Sequence, residues 1–150
     1  MKRCTLGIGF LIVRKSSTIL FILLAFLCAS CKVSQRVDAA KAAVEHLHQQ
    51  LDSGQFEAMY EEADSRFTSA TTQQQFVDLM AAVHRKLGNV TSADVTNWKV
   101  NANTAGTFVT LSYKTQFGAE QVTETFQFRE SEGKERLVSY NINSTALITK

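Results

Sequence analysis

The stretch from Gly106 to Arg129 constrains this chain more than any other. It reads Gly-Thr-Phe-Val-Thr-Leu-Ser-Tyr-Lys-Thr-Gln-Phe, then Gly118-Ala-Glu-Gln121, then Val-Thr-Glu-Thr-Phe-Gln-Phe-Arg. Two alternating runs rich in β-branched and aromatic residues around a glycine-containing connection predict a long β-hairpin. Because strand side chains alternate with period two, Val109, Leu111, Tyr113, Thr115 and Phe117 share one face of the first run. Val122, Glu124, Phe126 and Phe128 share one face of the second. A two-stranded ribbon with one apolar side is marginal in water, so that side needs a cover.

The upstream sequence supplies it. Val37, Ala40, Val44, Leu47 and Leu51 alternate at three and four, which predicts a helix from about Ser34 to Asp52, stopped by Gly54. Phe56, Met59, Tyr60 and Ala63 mark a short second helix, with Glu57, Glu61, Glu62 and Asp64 read as its solvated side. A break is expected after Phe67. Thr72 with Gln75 then forms a capping box for a third helix, whose stripe is Phe76, Leu79, Met80, Val83 and Leu87 and whose end is Gly88. Arg85 and Lys86 suit the negative end of its dipole. Strand-like segments follow at Val90 to Val100, through the hairpin, and at Leu137 to Ile142, where the adjacent apolar Leu137 and Val138 predict a bulge. Three N-terminal helices packed on a curved four-stranded antiparallel sheet make an α+β domain, residues 37–146.

Residues 1–30 read as a leader. Lys2, Arg3, Arg14 and Lys15 precede the apolar run Thr18 to Ser30, which is shorter than the roughly 20 residues a membrane span needs. With those four removed, 12 of the 16 basic residues remain against 14 acidic ones, so the mature part is weakly acidic. That balance argues against nucleic acid as a partner. Cys4, Cys28 and Cys31 all fall within the first 31 residues, which excludes a disulfide framework or a cysteine-ligated metal inside the domain. His46 and His48 stand two apart on a helix and face different sides, and His84 stands alone, so no metal or other cofactor is expected. No serine sits in a nucleophile elbow.

Ala29-Ser30-Cys31 at the end of the apolar run resembles a bacterial lipoprotein signal, with Cys28 where Leu usually stands. The resemblance implies acylation of Cys31, a short tether over residues 31–36 and a domain held close to the bilayer. Several acyl chains on one residue anchor stably where a single chain is marginal. Lys32 after the cysteine, where lipoproteins of enteric bacteria retained in the inner membrane carry Asp, implies the outer membrane facing the periplasm. The alternatives are an ordinary signal cut after Ala29 or Ser30, leaving a free Cys31, and an uncleaved anchor.

The order of elements resembles the nuclear-transport-factor-two-like superfamily, the cystatin-like or cone-shaped α+β fold. A closer resemblance is to a bacterial family of small exported proteins of unknown function. It rests on Asp52-Ser-Gly54-Gln-Phe56, Arg85-Lys-Leu-Gly88, Phe117 through Glu124-Thr125, and Tyr140-Asn-Ile142, with Phe76 and Glu135 where that family often has tryptophan.

Glu124 is the candidate site residue, because parity places a carboxylate among Val122, Phe126 and Phe128, where desolvation would raise its pKa. Superfamily enzymes such as ketosteroid isomerase set an acidic base beside a tyrosine, which implies Tyr113 and Tyr140 as candidate partners. The competing structural reading has Glu124 reaching water or pairing with a helix cation such as Arg85. Two function classes follow. One is a membrane-anchored, non-catalytic envelope module that binds a small apolar ligand or an envelope protein, with self-association through the open sheet face as a further mode. The other is an isomerase- or hydratase-like enzyme using Glu124 with Tyr113 or Tyr140. A cavity of about 300 Å³ or more at Glu124 would favour the enzyme.

Overall fold

The computed structural model describes the backbone of residues 13–118 and 120–148 and the side chains of residues 32–118 and 120–147. Residues 1–12 of the expected leader, and the side chains of residues 13–31 with the Cys31 thiol among them, therefore lie outside what is described. By internal contacts the chain divides into two units, Met1–Gln35 and Arg36–Lys150, and the core among the described residues lies in the second.

The elements in order are α1 (Val13–Asp52), α2 (Phe56–Glu61), α3 (Ser65–Ala70), α4 (Gln73–Leu87), β1 (Val90–Asn103), β2 (Gly106–Phe117), β3 (Glu120–Ser131), β4 (Lys134–Asn143) and α5 (Thr145–Ile148). The fold class is α+β, with one antiparallel sheet in the order β1-β2-β3-β4. Among the described residues there are five helical segments where the sequence reading counts three. Helix one begins at Val13 rather than Ser34. The break placed after Phe67 is instead α3, which forms because Asp64 accepts a hydrogen bond from the Arg66 backbone N–H and so caps it. Asp64 is accordingly buried, not part of a solvated acidic side.

The capping box of α4 is formed as its residues suggest, with Thr72 and Gln75 each bonded to the other's backbone. Phe76, Met80, Val83 and Leu87 of its stripe are buried, but Leu79 is 46% exposed. The helix turns its 76-80-83-87 row inward, and Leu79 falls off the edge of that row. From α1, Val37, Ala40, Val44, Leu47 and Leu51 all enter the core.

In the sheet, Phe117 pairs with Glu120 across a two-residue hairpin loop, and Tyr113 pairs with Glu124. Val109, Leu111, Tyr113, Thr115 and Phe117 are buried on one side together with Val122, Glu124, Phe126 and Phe128, the faces that period two assigns. Burying each phenylalanine contributes roughly 2–3 kcal/mol. In β4, Leu137 and Ser139 pair with Phe128 and Gln127, so Val138 is the extra residue of a bulge. β1 has bulges of the same kind, between Val90 and Ser92 and between Val95 and Asn97.

Candidate functional site

Glu124 is fully buried at the centre of the core, on β3, and three side chains converge on its carboxylate. The Tyr140 hydroxyl donates to Oε1 at 2.6 Å. The Thr115 hydroxyl donates to Oε2 at 2.5 Å, and Nε2 of His48 lies 2.9 Å from the same oxygen. Each partner comes from a different element, so the contact ties α1, β2 and β4 to β3. Burying a carboxylate is costly unless its oxygens are met by donors, and here both are. Arg85 is not among them.

Sequence reasoning placed Tyr140 near Glu124 but passed over His48 and Thr115. The sequence points to His48 only as a possible metal ligand with His46, and the two rings do point apart: Nε2 of His46 lies 3.1 Å from Glu62 on the exposed side of α1. The readable signal was that His48 follows Val44 by one helical turn and so borders the apolar stripe. For Thr115 the signal was its place among Leu111, Tyr113 and Phe117 on the inward face of β2.

Tyr113 lies beside Glu124 in the sheet register, and no hydrogen bond joins their side chains. Burial, then the charges of Glu124 and Glu45, push its hydroxyl up to about 12. Burial also holds the Tyr140 hydroxyl well above its usual range, reinforced by the charge of Glu124 and the hydrogen bond to it. Both phenols therefore stay protonated near neutral pH, which makes Tyr140 a donor to Glu124 rather than a base.

The space beside this cluster is small. A cavity of about 10 Å³ lies against Glu124, Tyr140, Phe126, Phe76 and Met80. That is no more than the room one water requires. For Glu124 to take a proton from a substrate it would have to shed a present partner and open this packing.

A much larger opening lies elsewhere. A groove of about 710 Å³ runs between α1 and the start of β1, walled by Val44, Ala93, Val95 and Tyr113 with Glu45 and Lys41 at its polar side. His48 reaches it from the interior; Glu124 and Tyr140 do not line it. The network is thus one side chain removed from the groove.

A sequence profile for a family described as "Protein of unknown function (DUF4019)" matches residues 42–140. The chain belongs to the DUF4019 family. No curated protein matches it. The DUF4019 segment starts within α1 and ends at Tyr140, so His48, Tyr113, Thr115, Glu124 and Tyr140 all fall inside it, and Cys31 falls outside.

A second polar contact in this DUF4019 protein was not read from the sequence. Asp64 accepts from Nε of Arg129 at 2.8 Å and from its Nη2 at 2.6 Å, while its own backbone N–H donates to the Leu137 carbonyl. Burial alone would raise the Asp64 pKa, but the Arg66 backbone N–H and the Arg129 guanidinium outweigh it and hold the carboxyl below its usual range. This contact docks the α2–α3 junction onto β3 and β4. Among the described residues no group of three His, Cys, Asp or Glu side chains gathers into a metal site, and no helix is long and apolar enough to cross a membrane.

Proposed function

We propose that this protein is an envelope lipoprotein, acylated at Cys31, whose domain is a non-catalytic binding module of the cone-shaped, nuclear-transport-factor-two-like class. Residues 1–30 are the signal, 31–36 the tether and 37–146 the domain. The groove between α1 and β1 takes a small neutral or cationic ligand with an apolar body, because Asp38, Glu45 and Asp52 outnumber Lys41 along it and Val44, Val90, Ala93 and Val95 supply apolar wall.

One observation carries the reading. The carboxylate that an enzyme of this class would use is enclosed by three donors beside a cavity of about 10 Å³. The open volume lies instead in the groove.

A thermal-shift screen of envelope metabolites tests it. Ala42 is exposed at the groove wall, so Ala42→Trp fills the opening without disturbing the core and should weaken a stabilising ligand at least about tenfold. Glu124→Gln should leave that ligand's shift intact. The reverse pattern, with the shift lost in Glu124→Gln and kept in Ala42→Trp, would support the isomerase- or hydratase-like enzyme instead.

The address has its own test. Cys31→Ser should move the protein from the membrane fraction to the soluble periplasmic fraction. Undiminished sedimentation with membranes would remove acylation from the account.

A further inference from the structure

The two edges of the sheet are treated differently. At β4, the Asp64 backbone N–H donates to the Leu137 carbonyl, and Arg136 donates to the Glu62 carbonyl, so the α2–α3 junction covers that edge. At β1, no strand among the described residues lies beside the outer edge, and the strand is 14 residues long. A long bare edge of this kind is a template for another strand.

The side chains on β1 are arranged unusually. Val95, Trp98 and Val100 pair with Tyr113, Leu111 and Val109, which are inward residues of β2. They therefore face the helix side of the sheet, yet Val95 is 37% and Trp98 52% exposed. On the opposite face stand Asp94 and Lys99, paired in register with Lys114 and Thr110. No ion pair among the described residues holds either of them. The bulge between Val95 and Asn97 is what sets Val95 and Trp98, three apart, on the same face.

We propose that β1 is a self-pairing edge: two copies join antiparallel about a two-fold axis passing between Thr96 and Asn97, so that one sheet continues into the other. Opposite residues in an antiparallel pair share a face. In a regular strand a two-fold axis between adjacent residues would set inward positions against outward ones. The bulge shifts parity at that point, so the four pairs from Ser92 with Asn101 to Val95 with Trp98 match. Val95 of each copy meets Trp98 of the other, and Ala93 meets Val100, all on the helix side. Asp94 of each copy meets Lys99 of the other on the outer side. The apolar pair covers the most exposed large apolar side chain of β1, and the charged pair occurs twice per dimer. Lys99, which would repel most approaching strands, selects the same chain in this one register. Ala93 and Val95 also wall the groove, so the partner strand would border its mouth whatever the groove binds.

Sedimentation velocity of the full chain in detergent, across the micromolar range, tests it. The wild type should show a concentration-dependent monomer–dimer equilibrium. Asp94→Lys and Lys99→Asp are exposed substitutions, and each sets like charges opposite one another twice, so each should weaken the dimer about tenfold. The double variant carrying both exchanges should recover wild-type association, and an equimolar mixture of the two single variants should form a heterodimer. Circular dichroism of each variant should match the wild type. A protein that stays monomeric at every concentration overturns the proposal. So does a dimer indifferent to the single exchanges, which would place the contact on the open sheet face, or a double variant no better than either single one.

Discussion

Glu124→Ala should destabilise the protein by about 3–5 kcal/mol, since each stranded buried polar group costs roughly 1–3 kcal/mol and a cavity adds to it. The loss is large because the substitution strands three groups at once. The Tyr140 and Thr115 hydroxyls lose their acceptor, and His48 loses its side-chain hydrogen-bonding partner among the described residues. A cavity is added to the penalty, since Glu124 packs among Phe126, Phe76 and Met80. Glu124→Gln keeps an oxygen for the hydroxyls and should cost less, about 1–3 kcal/mol. Urea unfolding of the two variants beside the wild type measures both. A loss under about 1 kcal/mol in Glu124→Ala would show that the cluster does not hold the four elements together.

Asp64→Ala should cost about 2–4 kcal/mol, from a lost charged hydrogen bond and a lost helix cap. It removes the cap of α3 and leaves the Arg129 guanidinium, 24% exposed in its side chain, without the carboxylate it grips. Its pH dependence has a definite sign. The folded-state pKa of Asp64 lies below its ordinary value of 3.8. Asp64 therefore contributes stability that is fully present above that ordinary value and is lost as pH falls through the lower, folded one. Asp64→Asn removes this contribution, so its unfolding midpoint should respond less to acid than the wild-type midpoint does. Equal acid sensitivity of the two would mean that the low pKa of Asp64 is not coupled to folding.

The hairpin, its inward faces, the capping box of α4 and the bulge at Val138 were legible in the sequence because each is a local pattern. Period two, a Thr-x-x-Gln step or two adjacent apolar residues on a strand carry their structure with them. α3 was not legible, because six residues with one buried side chain, Phe67, have no periodicity to read. Its existence depends on Asp64 being drawn inward by Arg129, a partner 65 residues away. The candidate site divides in the same way. Parity alone brings Glu124 to the core face, and the superfamily resemblance puts Tyr113 and Tyr140 near it. Which tyrosine would bond, and that His48 would complete the cluster, depended on how α1 lies across the sheet, a long-range choice that spacing does not encode. The closure of the interior was equally out of reach, since it follows from how Phe126, Phe76 and Met80 interlock.

The proposed binding site is the groove, beside an interior that stays filled. A crystal structure of the protein with the strongest ligand from the thermal-shift screen measures this directly. The ligand should lie between α1 and β1, against Val44, Val95 and Tyr113, with the Tyr140, Thr115 and His48 contacts to Glu124 unchanged. A ligand found in the interior, with Tyr140 displaced from Glu124 and the ligand hydrogen-bonded in its place, would contradict it.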